Sequence, residues 1–164
     1  MAARVASMDD RVTHVGFLSG SGASQIFDMV MLASRSEQEP HSGKHRIEDV
    51  YGTFSRIMAE PDRIDQWVWG HTYKRKRWAS LARTSPVFDL AHSDAYVFLA
   101  YGDADESVAV GGTDLLYSEL FARGKRVRVE RISGGDHSLN RPGEPPFQRM
   151  SDIVGSLVAW VLED

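Results

Sequence analysis

The pattern of apolar and polar positions along the chain predicts three strands. A run of β-branched and apolar residues at 11–18 predicts a buried strand, and residues 95–101 form the strongest strand pattern in the sequence. Residues 127–132 alternate apolar and charged side chains, which is typical of a half-exposed strand. Each run ends in small or polar residues, so a loop is expected after each strand.

Apolar residues at spacings of three and four predict helices between and after these strands. The first helical pattern begins at Ile26, and helical spacing continues through 44–82. Another predicted helix ends near Gly124, and the last one begins at Pro145. Ser85 and Pro86 indicate a turn. Strands that alternate with helices are typical of a parallel sheet with crossover connections. The predicted fold class is therefore α/β: a short, mostly parallel sheet with flanking helices.

Length and composition narrow the class of protein. With 164 residues we expect a single domain over 1–164, in which 44–82 forms a helical, lid-like insertion. The formal net charge of −4 argues against a nucleic-acid partner, because binding a polyanion needs a basic surface. The sequence has no cysteine and no apolar stretch long enough to span a membrane. We expect a cytoplasmic protein with no membrane partner.

Three chemically suited residues follow the three predicted strands. Ser21 lies in a run of small residues, with Gly20 and Gly22 beside it, as the serine of a strand-to-helix nucleophile elbow requires. Asp105 follows the second strand and His137 follows the third. A serine hydroxyl becomes a good nucleophile when a histidine takes its proton and a carboxylate orients that histidine. The order Ser, Asp, His predicts a catalytic triad at the carboxyl ends of the strands.

Residues 1–25 and 84–164 resemble the prolyl oligopeptidase and dienelactone hydrolase-like branch of the α/β-hydrolases, specifically the C-terminal half of the catalytic domain. The similar segments are Asp10–Val12, Ser85–Pro86, Tyr101–Val108, Glu119–Lys125 and Gly135–Ser138. The resemblance implies Ser21 as nucleophile, Asp105 as the acid that orients histidine, and His137 as general base. It treats Asp103 as a spacer and implies no metal or organic cofactor.

The sequence departs from that family at two places. The outer glycines of the elbow are replaced by Ser19 and Ala23, and the strands that precede the elbow in the family have no counterpart. The Gly22 N–H remains as one oxyanion-hole donor, and a second must come from elsewhere. We expect a natural half-domain, a cloned fragment or part of a composite fold.

Several residues also have simpler interpretations. Ser21 can be an ordinary turn residue or part of a phosphate-binding turn, although Gln25 stands where the dinucleotide motif needs its third glycine. His41 and His45 have metal-ligand spacing but no third ligand. The basic run 74–77 is interpreted as a solvated helix face. The aromatic residues Trp67, Trp69, Tyr73 and Trp78 are expected in a core or a lid.

Two functional hypotheses follow. The first is a serine hydrolase, an esterase or peptidase, which acts on a small-molecule ester or peptide through an acyl-enzyme. The second is a catalytically weak or inactive half-domain that serves as an assembly module. Because the strand at 11–18 would lack neighbours on one side, we also expect a homodimer or larger homo-oligomer, with edge-to-edge pairing there.

Overall fold

The structure, a computed structural model, describes residues 2–38, 46–63, 67–68 and 73–163. The strands within these ranges are β1 (His14–Leu18), β2 (Trp67–Val68), β3 (Tyr73–Lys74), β4 (Tyr96–Gly102) and β5 (Val127–Ile132). The helices are α1 (Ala2–Ala6), α2 (Gln25–Gln38), α3 (Ile47–Ala59), α4 (Arg75–Ala82), α5 (Pro86–Ala91), α6 (Val110–Ala122) and α7 (Gln148–Glu163).

The main sheet is parallel and has the order β1-β4-β5. Strand β4 is central and nearly all its residues are buried, as expected for a parallel strand covered on both faces. Within the described ranges β1 pairs with no strand other than β4. The α/β class with a short parallel sheet and flanking helices is thereby confirmed.

Alternate residues of β4 enter two apolar cores on opposite faces of the sheet. Val97 and Leu99 pack with residues of α1, α5 and α6, including Leu116. Phe98 and Ala100 pack on the other face with α7, including Ile153. Because the side chains of a strand alternate between faces, one apolar strand serves both cores. The three loops at the carboxyl end of the sheet therefore rise from a well-packed base.

Contacts group the chain into two compact units. The first comprises Met1–Ala23 with Pro86–Asp164, and the second is Ser24–Ser85. The first contains the parallel sheet with α1, α5, α6 and α7; the second contains α2, α3, α4 and the antiparallel hairpin β2–β3. Ser21, Asp105 and His137 all belong to the first unit.

Two local predictions were wrong. The segment 44–82 is not helical throughout, because β2 and β3 form a short antiparallel hairpin between α3 and α4. The turn expected at Ser85 and Pro86 is the beginning of helix α5. Proline is favourable in the first helical turn, where its missing N–H costs no hydrogen bond, so the same residues can open a helix.

Candidate active site

The loops that follow β1, β4 and β5 carry the three residues singled out in the sequence. Parallel strands have their carboxyl ends at one edge of the sheet, where ligands of such folds bind. Ser21 lies in the loop after β1, Asp105 in the loop after β4, and His137 in the loop after β5. The structure pairs two of these residues and leaves the third bonded elsewhere.

Asp105 is a buried carboxylate held on both oxygens. Its Oδ1 accepts hydrogen bonds from the backbone N–H groups of Ser107 at 2.7 Å and Val108 at 3.0 Å. Its Oδ2 lies 2.9 Å from Nδ1 of His137. The backbone donors fix the carboxylate, and only 2% of the residue is exposed. Asp105 thus presents one oxygen to the histidine in a fixed direction.

Asp105 orients the imidazole of His137. Because a carboxylate oxygen accepts, Nδ1–H donates to Asp105, and in the neutral imidazole Nε2 is then a hydrogen-bond acceptor. Half of the imidazole side chain is exposed, so the ring can be reached from solvent. In serine hydrolases a carboxylate in this position fixes the histidine tautomer and stabilises the imidazolium. That role for Asp105 stays a prediction.

The loops after β4 and β5 meet because two glycines let their backbones approach. A Cβ on Gly102 would overlap the carbonyl oxygen of Gly135 and that of Asp136. The Ala104 N–H donates to the Gly135 carbonyl at 3.0 Å across the same contact. Glycine is needed here for close approach, and the approach brings Asp105 within hydrogen-bonding distance of His137.

Ser21 is differently engaged. Its hydroxyl donates to the carbonyl of Ala23 at 3.1 Å and accepts from the Ala23 N–H at 3.2 Å. The hydrogen bonds of the described residues include none between Ser21 and His137. The left-handed backbone in this loop is at Ser19, with φ of 50°, and not at Ser21. The catalytic role of Ser21 therefore stays a prediction.

The loop after β1 is fixed against α5 and α6. Gly22 is buried, and a Cβ there would overlap the Gly112 carbonyl and the Leu116 side chain. The Val87 N–H donates to the Gly22 carbonyl at 2.9 Å. Glycine is thus required at position 22 by packing alone. The oxyanion role of its N–H is a separate prediction, which this packing does not decide.

The sequence analysis treated Asp103 as a spacer and assigned no role to Asp136. Asp103 accepts a hydrogen bond from the Gly134 N–H, and Asp136 accepts from the N–H groups of Ser138 and Asn140. Both hold the histidine loop. The sequence offered only their positions: Asp103 lies two residues before Asp105, and Asp136 lies one residue before His137. A carboxylate in a loop is too common for its position alone to predict a contact.

The other candidate residues give mixed outcomes. His41, His45 and Trp69 lie outside the described residues, whereas Trp78 is buried in the core of the second unit, in agreement with the core interpretation. In the basic run, Lys74, Lys76 and Arg77 are exposed, as a solvated face requires. Arg75 is the exception: it is buried and its Nη1 donates to Glu60 at 2.6 Å.

Two general features are absent from the described ranges. In these ranges no group of three or more His, Cys, Asp or Glu side chains has the arrangement of a metal site. No helix formed by them is long and apolar enough to cross a membrane.

Comparison with known proteins finds structural similarity only. No protein-family model matches the chain, and no curated protein matches it. Solved structures of Thermogutta terrifontis esterase 2 are similar in part. The form phosphonylated by sarin has a TM-score of 0.42 and 16% identity, over 62% of this chain and 37% of that chain. The apo form has a TM-score of 0.41 and 16% identity, over 58% and 38%.

This chain spans little more than a third of the length of those esterase chains. The similarity is to an esterase at low identity and over part of the chain. TM-scores below 0.5 carry no argument about activity. The narrower resemblance to the prolyl oligopeptidase and dienelactone hydrolase-like branch remains a prediction from the sequence.

Proposed function

We propose that this protein is a serine hydrolase that cleaves carboxylic esters through an acyl-enzyme. The observation that carries the proposal is the 2.9 Å contact between His137 Nδ1 and the buried carboxylate of Asp105, formed across the ends of two adjacent parallel strands. An imidazole oriented in this way is equipped to take a proton from a serine and return it to a leaving group.

The proposed reaction has two halves. The Ser21 Oγ attacks the ester carbonyl carbon while His137 Nε2 takes the hydroxyl proton, and the alcohol leaves with that proton. Water then attacks the acyl-enzyme with the same base, which releases the acid and restores Ser21. The route requires the Ser21 hydroxyl to exchange its bond to Ala23 for one to His137. The Gly22 N–H is the proposed oxyanion donor, and no metal or organic cofactor takes part.

Esters are the proposed substrates in preference to amides. Alcohols leave more readily than amines, so an ester tolerates weaker oxyanion stabilisation. Loss of one oxyanion donor costs roughly 2.7–4 kcal/mol in transition-state energy where it has been measured in another enzyme. A site with one assigned donor is therefore better suited to activated, short-chain esters.

A fluorophosphonate probe tests the role of Ser21. We expect a covalent adduct on the Ser21 peptide of the intact protein, lost in Ser21→Ala and retained in Ser138→Ala, a serine beside His137. Hydrolysis of p-nitrophenyl acetate should likewise be lost in Ser21→Ala and retained in Ser138→Ala. A folded protein with no adduct at Ser21 would refute the proposal.

The second candidate function is an assembly module with little or no turnover. Two observations favour it: the Ser21 hydroxyl is satisfied by its own loop, and β1 has one strand partner among the described strands. An exposed strand edge invites pairing with another chain. We propose homo-oligomerisation through residues 11–18, and a monomer in sedimentation at micromolar concentration would contradict it.

A further inference from the structure

The position of His137 relative to Asp105 depends on a set of hydrogen bonds between their two loops. The backbone supplies two of them: Asp103 N–H donates to the Ile132 carbonyl at 3.1 Å, and Ala104 N–H donates to the Gly135 carbonyl at 3.0 Å. The third comes from a side chain. Oδ1 of Asp103 accepts from the Gly134 N–H at 2.6 Å.

Asp103 therefore contacts two residues, Ile132 and Gly134, of the turn that begins the histidine loop. The turn is closed by Gly135 N–H donating to the Ile132 carbonyl at 3.1 Å. Gly134 has a φ of 71°, a left-handed conformation that glycine adopts without strain. In this conformation its N–H points to the Asp103 carboxylate, and a hydrogen bond to an ionised acceptor is shorter and stronger than one between neutral groups.

A chain of charged groups extends from the Asp103 carboxylate. Its Oδ2 is 3.8 Å from Nε of Arg131, whose Nη1 is 3.7 Å from Oδ1 of Asp114. The buried Tyr101 donates its hydroxyl to the same Asp114 oxygen at 2.5 Å. Burial, together with Asp114, raises the pKa of Tyr101, so this hydroxyl keeps its proton and remains a donor. The set links β4, β5 and α6 to the turn before His137.

We propose that Asp103 is a positioning residue that holds His137 in register with Asp105. The expected effect of Asp103 on the rate rests on the proposed hydrolase function. Its expected effect on the position of His137 does not. Asp103 touches no reacting atom in the proposed reaction. It acts by fixing Gly134, three residues before His137, and misplacement by about 1 Å can lower turnover on the order of a hundredfold.

Two substitutions separate the hydrogen bond from the charge. Asp103→Ala removes the acceptor for Gly134, whereas Asp103→Asn keeps an oxygen at the same place. We expect Asp103→Ala to lower kcat by roughly ten- to a hundredfold with KM unchanged, and Asp103→Asn to recover most of that loss. Asp94→Ala, which removes an exposed carboxylate before β4, is the matched control and should leave kcat unchanged.

An NMR measurement on the full chain tests the proposal without any need for turnover. In Asp103→Ala we expect the Gly134 amide to exchange at least tenfold faster and the downfield His137 Nδ1–H resonance to broaden or disappear. Both signals should persist in Asp103→Asn. If Asp103→Ala does not fold, Asp103→Ser, whose side chain is one atom shorter, takes its place.

The outcomes distinguish the two proposals. Folded Asp103→Ala with an unchanged His137 Nδ1–H resonance and unchanged Gly134 exchange would overturn the positioning role. If the wild-type protein has no esterase activity, the proposed function is refuted. If Asp103→Ala nevertheless loses the His137 Nδ1–H resonance, the positioning role is supported.

Discussion

The loop after β1 and the pair of loops after β4 and β5 are both firmly held, yet they prepare their side chains differently. In the pair, glycine contacts and backbone hydrogen bonds bring Asp105 and His137 together across two strands. In the loop after β1, equally close contacts with α6 leave the Ser21 hydroxyl bonded to Ala23. A firmly held loop is therefore not sufficient to form a triad. The side chain must also be free of a competing hydrogen bond within its own loop, such as the one between Ser21 and Ala23.

The largest effect is expected from a change in the Asp105–His137 pair. Asp105→Asn keeps the shape of the side chain but presents the wrong partner to Nδ1–H of His137. By analogy with the same change in a known triad, we expect ester turnover to fall by on the order of 10⁴-fold. Initial rates with p-nitrophenyl acetate measure it. Near-normal turnover in folded Asp105→Asn would show that the pair does not serve catalysis.

The next effect concerns the approach of the two loops. Gly102→Ala places a methyl group against backbone atoms of Gly135 and Asp136 that cannot move aside independently. We expect the free energy of unfolding to fall by about 3 kcal/mol, measured by urea denaturation.

Gly155→Ala is the matched control. Its site in α7 is exposed and has no neighbouring atom within 4 Å of an added Cβ. Alanine there should stabilise the protein by about 0.5–1 kcal/mol, because it reduces the freedom of the unfolded chain. Equal effects of the two changes would contradict the close-approach argument.

A smaller effect is expected in the loop after β1. The buried Thr113 hydroxyl donates to the Gly20 carbonyl at 3.1 Å and ties this loop to α6. Thr113→Val removes the donor while it keeps the shape, and we expect a loss of about 1 kcal/mol in unfolding free energy. Ser118→Ala, on the same helix but exposed, should change it by less than about 0.5 kcal/mol. A neutral Thr113→Val would show that this bond is dispensable.

The smallest expected effect is a pH dependence of the stability that Glu144, in the segment after His137, contributes. Arg149 hydrogen-bonds to Glu144 and, with the Arg141 N–H, lowers the pKa of Glu144 to about 2 from an ordinary 4.5. A lowered folded-state pKa means that the stabilisation is present above about pH 4.5 and is lost as the pH falls toward 2.

The variant Glu144→Gln tests this sign. Its Tm should lie slightly below that of the wild type at pH 7, and the difference should shrink between pH 4.5 and 2. A difference that grows on acidification would contradict the assignment.

Sequence alone predicted the central features of the fold because they depend on apolar patterning. Strand β5 was predicted with its observed bounds, and β4 to within one residue, since buried strands need continuous or alternating apolar residues. The hairpin β2–β3 was missed because strands of two residues have no measurable period. Helix α5 was missed because Pro86 indicates a turn and a helix start equally well.

The candidate site divides in the same way. The contact between Asp105 and His137 could be anticipated, because the carboxyl ends of adjacent parallel strands lie at one edge of the sheet. Their catalytic roles stay predictions. The orientation of Ser21 was not foreseeable, because it depends on one local choice between the Ala23 backbone and a distant acceptor. The hydrogen bond of Asp103, which the sequence analysis treated as a spacer, was not predicted because chain order does not reveal that its carboxylate accepts from a backbone N–H beyond β5.

The register of the sheet also implies an order of assembly during folding. Val97 on β4 pairs with Val127, close in sequence, whereas His14 on β1 pairs with the distant Tyr96. Closing the longer loop costs more chain entropy, so we expect β4 and β5 to associate before β1 joins them. Val129→Ala should then slow folding, whereas Val15→Ala should mainly accelerate unfolding. The strand that leads to Ser21 would be the last to dock and the first to detach.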